Sequence, residues 1–498
     1  MLNNLRPPVQ YILMTALFAG SVAGGLAVPE AAAQRSSTLG PQSVAPVARD
    51  LIPAVVNIST SQVSRSSRGV PLPEVPDGAP FKEFFDDFFH KDGEGSGVGR
   101  KVSSLGSGFV INGEEGLIVT NNHVITDADE IFVNFSDGSK LKVEKVLGRD
   151  AKTDLALLKV KPKSPLSEVK FGPSGTLEVG DWVMAIGNPF GLGGSVTVGI
   201  ISAKERDINS GPYDDYLQTD AAINKGNSGG PLFNMKGEVI GVNTAIISPT
   251  GGSIGIGFAV PSDTAVNVIE QLRLYGETRR GWLGVRIQSV SDDLASSLGV
   301  DAEKGALVAS VEEGSPAASS GLKNGDVILK FDGKNVMKMR GLPRIVAQTP
   351  IGKNVPVEVL RDGKRITLSV EVGRLKEPDG SKDEKETSEA EEAPKSEQKG
   401  PAIAGLSVSV VNDELRRKYK LGVKSSGLVV TAVDPSSPAA KKNLQEGDVI
   451  IEVAQAKVET LEALLKAVES VKKSGRKAVL LRIQTPRGDM RYVAVPVN

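Results

Sequence analysis

The sequence predicts a mostly-β protein whose first domain is a barrel or sandwich and whose remainder is one smaller domain written twice. Three features carry that prediction. Between Asp50 and about Val260, short β-branched runs (GSGFVI, GLIVTN, IFVNF, DLALLKV, WVMAIG, VTVGIIS, GEVIGVNTAII) follow one another across Gly, Asn and Asp turns. A single change of period comes next, in PSDTAVNVIEQLRLYG. After it, GALVASVEEGSPAASSGLKNGDVILKFDG from Gly305 returns as GLVVTAVDPSSPAAKKNLQEGDVIIEVAQ from Gly427, 122 positions later and without a gap.

Taken in order, residues 1–33 read as an export signal. Arg6 precedes the apolar run YILMTALFAGSVAGGLAV, and Ala31 and Ala33 stand at small-residue cleavage positions. Cleavage after Ala33 releases the chain, in a bacterium into the periplasm; kept, the segment is an anchor that holds it near the membrane. Residues 34–50 are expected to be a polar, disordered start. The first domain closes with a helix that Ser262 caps, that buries Val266, Ile269 and Leu272 on one face, and that stops at Gly276. Between the repeats, residues 376–400 (KEPDGSKDEKETSEAEEAPKSEQKG) carry nine acids against five lysines and no aliphatic larger than Ala, the composition of a flexible linker.

Composition narrows the function. The 498 residues imply two to four domains. A net charge of −1 argues against nucleic-acid binding through bulk charge. With no cysteine and two histidines, a transition-metal site is not expected, and no phosphate-loop motif points to ATP. No cofactor is expected.

The chemistry concentrates at AAINKGNSGGPLFN. Around Ser228 the glycines allow a tight loop whose backbone N–H groups can gather around a nucleophilic oxygen. Gly226 and Ser228 are the candidate donors of an oxyanion hole, each worth about 3 kcal/mol of barrier. The bland alternative is a hairpin turn with an incidental serine. A serine attacks near neutral pH only when a base takes its proton. Of the two histidines, His90 sits in FKEFFDDFFHKDG with no turn to fix it and reads as an ordinary side chain. His123 ends an apolar strand in LIVTNNHVIT and is the credible base by elimination. A partner carboxylate would fix its tautomer. Asp154, in front of the strand LALLKV, is either that partner or a turn residue; Asp220, eight residues before Ser228, is the rival acid or orders the loop.

TNNHV, TDLALLKV, GNPFGL, DAAINKGNSGGPL and IGIGFAVPS together resemble the HtrA (Do/DegP-like) serine endoproteases, and the likeness runs from about Leu51 to the C-terminus. It implies a chymotrypsin-like double β-barrel protease domain at 51–275 with a long regulatory loop at 61–105. Two α+β PDZ domains follow, at 276–374 and 401–498, joined by a charged linker at 375–400. It implies His123 as base, Asp154 as orienting acid, Ser228 as nucleophile, and the N–H groups of Gly226 and Ser228 as the oxyanion hole. The activity implied is ATP-independent cleavage of unfolded or misfolded periplasmic proteins, with chaperone activity and assembly into homo-oligomers, as trimers or multiples of trimers. FKEFFDDFFH resembles the aromatic tip of the family's long loop, which enters a neighbouring subunit's active site; from the residues alone its phenylalanines could equally be a helical stripe on a core. Arg206 falls in the loop that in relatives senses PDZ occupancy.

Two further expectations concern binding. Ile223, Ile254 and Ile256 either line a primary specificity pocket suited to Val, Ala or similar side chains or belong to the barrel core. The loop at Trp282, Leu283 and Gly284 leads into a strand that could capture a C-terminal carboxylate and pair with the peptide, unless WLGV is simply buried. Arg279 and Arg280 would assist. AIAGLSVSVVND opens the second copy in the same way but lacks the basic pair, which suits docking between subunits.

Overall fold

Twelve strands, some alternating buried and half-exposed residues and others buried along nearly their whole length, form two closed barrels in the first domain. The structure is a computed structural model that describes residues 43–63, 101–189, 194–224, 226–249, 251–298, 304–376, 404–423, 425–475 and 478–496. The export segment, His90 with its aromatic stretch, and nearly all of the charged linker lie outside the described residues.

A short helix, α1 (Ala45–Leu51), leads into the first barrel. Its strands are β1 (Val55–Val63), β2 (Lys101–Asn112), β3 (Leu117–Thr120), β4 (Glu130–Asn134), β5 (Lys140–Asp150) and β6 (Leu155–Val160), and they close in the order β1-β2-β3-β6-β5-β4. The second barrel uses β7 (Trp182–Gly187), β8 (Ser195–Arg206), β9 (Tyr216–Thr219), β10 (Pro231–Asn234), β11 (Val239–Ile246) and β12 (Gly257–Pro261), in the order β10-β11-β12-β9-β8-β7. Val56, Ile58, Val110, Ile118, Val133 and Leu158 fill the first interior; Val183, Ala185, Ile201, Leu217, Leu232 and Ile240 fill the second. Each buried aliphatic of this size contributes about 1.5–3 kcal/mol against its exposed state.

A turn of helix, α2 (Asn122–Ile125), follows β3, and a longer one, α3 (Ser262–Tyr275), follows β12. Helix α3 packs on β5 and β6 of one barrel and β11 of the other, so it bridges both. Gly276 ends it in the left-handed conformation, φ 75°, with its N–H on Leu272 O at 3.0 Å. Two details differ from the sequence expectation. Pro261 occupies the cap position, and Ser262 is already helical, its hydroxyl donating to Gly172 O at 2.6 Å. Val268 is buried beside Ile269 and Leu272, while Val266 is only half-buried. The bridging role explains the second shift, since two barrels demand a wider apolar face than one.

The repeat is real down to the register. Leu307 pairs with Val327 in the first copy, and Val429 with Val449 in the second, each 122 residues on. Both copies start a four-residue helix at Ser-Pro: the Ser315 hydroxyl accepts from Ala318 N at 3.1 Å, and that of Ser437 from Ala440 N at 3.2 Å. Each copy has an antiparallel sheet and its own core, around Ile328, Phe331 and Val357 in the first and Ile450, Leu464 and Leu481 in the second. Between the copies, Leu294, Leu307 and Val327 pack with Leu480, Tyr492 and Ala494 in one cluster. Gln288 reads the backbone of Tyr492 from both sides, donating to its O and accepting from its N at 2.8 Å each. The two-barrel domain followed by two α+β copies is therefore the predicted architecture.

Candidate active site

Strand pairing brings His123 and Asp154 together. β3 and β6 run antiparallel with Thr120 opposite Ala156, so the residues after Thr120 meet those before Ala156. Asp154 occupies the left-handed region at φ 55°, a conformation that short polar residues tolerate. Its backbone O accepts from Asn121 Nδ2 at 2.7 Å and from Asn122 N at 3.2 Å. Its carboxylate grips the histidine twice: Oδ1 takes the His123 backbone N–H at 2.9 Å, and Oδ2 lies 2.6 Å from the ring Nδ1. Asp220 is engaged elsewhere, accepting from Ile200 N at 2.7 Å. Of the two acids the sequence leaves open, the structure pairs Asp154 with the imidazole. His123 lies in α2, one residue into a helical turn past the strand end where the sequence reading had it; Asn121 supplies the extended residue before that turn.

Burial disfavours the charged imidazolium, but the Asp154 carboxylate, through its charge and its hydrogen bond, outweighs burial and raises the His123 pKa above 6.5. Bonded to Asp154 through Nδ1–H, the neutral ring would have Nε2 as its basic nitrogen.

Ser228 enters from the second barrel, in the loop before β10, and is 9% exposed. Gly229 lets this loop approach the first barrel: at φ 84° it leaves no room for a side chain, since a Cβ there would stand 2.4 Å from Thr120 Oγ1 and 3.0 Å from Asn121 N. The serine loop thus abuts the segment that carries His123. Within the loop, Asn227 N donates to Asn224 O at 3.0 Å, Gly229 N to Asn243 O at 2.8 Å and Gly230 N to Asn227 O at 3.0 Å. Among the described residues, the Gly226 and Ser228 N–H groups have no backbone acceptor.

Sequence reasoning missed several residues that set this geometry. Ser107, Asn57, Asn121 and Thr244 are all buried and polar, and each bonds to backbone or side chains far along the chain. The available signal was the pair Gly106 and Gly108 inside a strand, a mark of close backbone approach. A Cβ on Gly106 would meet Val124 at 2.6 Å and Ser228 O at 3.2 Å.

Of the proposed pocket residues, Ile223 is buried with its side chain against Gly257, Ile256 is half-buried and Ile254 is exposed. Trp282 and Leu283 line a groove with Val285, Leu342 and Val346, and Gly284, at φ 75°, opens it. Tyr213 from the second barrel also lines this groove, and the Arg280 guanidinium sits 4.8 Å over its ring. Arg280 is buried and paired with Asp150, whose carboxylate also holds Thr153 Oγ1 at 2.5 Å, beside Asp154. Arg340 meets Asp207 at 2.6 Å, and Arg344 pairs with Asp215. Arg206 bonds Gln218 within the barrel sheet at 2.8 Å; it is Asp207, Tyr213 and Asp215 that contact the first repeat.

Comparison with known proteins adds names to this arrangement. Residues 106–242 match a trypsin-like peptidase domain, and 281–372 and 395–484 each match a PDZ domain. A probable periplasmic serine endoprotease, DegP-like, of Brucella melitensis is 41% identical over 524 aligned residues, covering 100% of this chain and 99% of that protein. Its namesake in Rhizobium meliloti is 41% identical, with 92% of each chain covered. Among solved structures, the HtrA-type protease AlgW with a decapeptide matches with a TM-score of 0.54 and 40% identity, over 68% of this chain and 100% of that one.

Proposed function

The chain belongs to the HtrA family of DegP-like serine endoproteases, and from that membership we propose that it cleaves unfolded or misfolded polypeptides in the periplasm through an acyl-enzyme at Ser228. The carrying observation is the double grip of one carboxylate on one histidine, Asp154 on both the backbone N–H and the ring of His123. In the proposed reaction, His123 Nε2 takes the Ser228 proton as Oγ attacks the scissile carbonyl. Asp154 holds the ring and stabilises the imidazolium. The N–H groups of Gly226 and Ser228 receive the negative charge that develops on the carbonyl oxygen, and donors of this kind contribute about 3 kcal/mol each. His123 then gives its proton to the leaving amine, and water repeats the sequence to release the acyl group.

The first PDZ domain, with its groove at Trp282, Leu283 and Gly284, catches C-terminal peptides. Chaperone activity, homo-oligomers built from trimers, and soft selection for small aliphatic residues belong to the same reading; the relatives are named periplasmic, which supports that location. No helix among the described residues is long and apolar enough to cross a membrane.

Digestion of an unfolded protein such as casein tests the proposal. Native protein should produce fragments, and Ser228→Ala should bind casein without cutting it. Native protein that binds but never cuts would leave a PDZ scaffold instead.

A further inference from the structure

Between Gly226 and Gly229 run three consecutive peptide groups, and Ser107 grips two of them. The Ser107 hydroxyl donates to Gly226 O at 2.5 Å, and its backbone N donates to Ser228 O at 2.8 Å. The opposite ends of those two peptides are also tied, Asn227 N to Asn224 O and Gly229 N to Asn243 O. The peptide between them has its carbonyl, Asn227 O, bonded to Gly230 N. Within these three peptides, what remains without an acceptor among the described residues is the Ser228 N–H. Their other polar groups go to structure and leave this donor for a ligand.

Ser107 also ties three distant segments together. It lies on β2 of the first barrel and is fully buried. Its hydroxyl accepts from Asn188 N at 2.9 Å, at the end of β7, while Asn188 O is taken by Asn57 Nδ2 at 3.1 Å. Its carbonyl accepts from Thr120 Oγ1 at 2.7 Å, three residues before His123. The hydroxyl, with one donated and one accepted bond, therefore joins the serine loop to the end of β7, and the backbone carbonyl of the same residue ties in the strand leading to the histidine.

We infer that Ser107 is a positioning residue for the reaction proposed at Ser228, acting through the Gly226 carbonyl. Gly226 sits at φ 98° with no side chain to restrain it. Without the Ser107 hydroxyl only the Asn227 N–H bond to Asn224 O orients this peptide, and a carbonyl swung toward the substrate would set its negative end against the developing oxyanion. The hydroxyl selects the orientation that keeps the hole open. The inference rests on Ser228 being the nucleophile.

The test uses the full chain with Ser107→Ala and Ser107→Cys, beside Ser228→Ala. Three quantities are measured: kcat and KM on a peptide substrate, affinity for a peptide aldehyde that forms a tetrahedral adduct, and thermal unfolding. Loss of the hydroxyl should lower kcat about ten- to a hundred-fold, less than deletion of an oxyanion donor outright. KM should shift less than about threefold, because ground-state binding is untouched. Aldehyde affinity should fall in step with kcat/KM. Cys, a weaker donor of similar size, should lie between Ser and Ala, and it alone carries the test if the Ala variant does not fold.

Equal losses in KM and kcat with unchanged aldehyde affinity per unit of substrate binding would overturn the inference. So would full activity in both variants, or a Cys variant no better than Ala at equal thermal stability. If Ser228→Ala retains activity, it is the serine assignment that falls; if Ser228 is required and the Ser107 series is flat, only the positioning role does.

Discussion

In the cleft between the barrels, the side chains of interest are held by polar bonds between segments far apart in sequence. In the two PDZ copies, the sheets are held by apolar strands and short local caps. Asp154 reaches His123 across 31 residues, and Ser107 reaches Gly226 across 119. Ser315 and Ser437, by contrast, cap helices three residues away. Polar bonds of the first kind are directional and few, so removing one misplaces a reacting group as well as leaving a buried partner unsatisfied. Apolar packing is redundant, and its losses are graded.

The predictions separate these two regimes. Ser228→Ala should lower the rate of peptide cleavage by about a million-fold, as loss of a nucleophile does in other serine proteases, with little change in thermal unfolding. Asp154→Asn should lower kcat about ten-thousand-fold. It should also move the acid limb of the pH profile. A base works only when neutral, so native activity should fall as pH drops through an apparent pKa above 6.5. With the carboxylate gone, burial still opposes the charged ring and should carry that limb to lower pH. A limb that stays in place in the variant would show that another group titrates.

Smaller effects belong to the PDZ side. Arg280→Ala leaves the buried Asp150 carboxylate without its guanidinium and should cost about 3–5 kcal/mol in denaturant unfolding, the range for breaking one buried pair. Gly284→Ala and Gly405→Ala place a methyl in the left-handed region, 2.2 Å from the Ser315 Cβ and 2.1 Å from the Ser437 Cβ. Strain of about 1–3 kcal/mol should appear in each copy separately. Peptide titration should reveal weaker C-terminal peptide binding with the first substitution while the cleavage of short peptides persists. Smallest of all, Arg286→Ala removes an exposed pair with Asp489 and should change stability by less than about 1 kcal/mol.

What the sequence made legible follows the same division. The repeat could be read because both copies use local rules: Ser-Pro caps, a Gly-Asp turn and alternating strands at one constant offset. His123 and Ser228 could be singled out as candidates because they sit at turns with few alternatives. Asp154 against Asp220 could not be decided from the residues alone, without the family resemblance, since the choice depends on which strand pairs with β3. Ser107 and Tyr213 were invisible for a related reason: one earns its place through partners 81 and 119 residues away, the other by reaching into a different domain. The cap at Ser262 was misread because the carbonyl of Gly172, in the segment between β6 and β7, takes its hydroxyl.

The central claim is that His123, steadied by Asp154, activates Ser228. Labelling of the intact protein with a fluorophosphonate probe measures that activation directly, because the probe reacts with an activated serine. Native protein should be labelled at Ser228, His123→Ala should be labelled far more slowly, and Ser228→Ala should take no label. Labelling that persists after loss of Ser228, or that proceeds at the native rate without His123, would contradict the account.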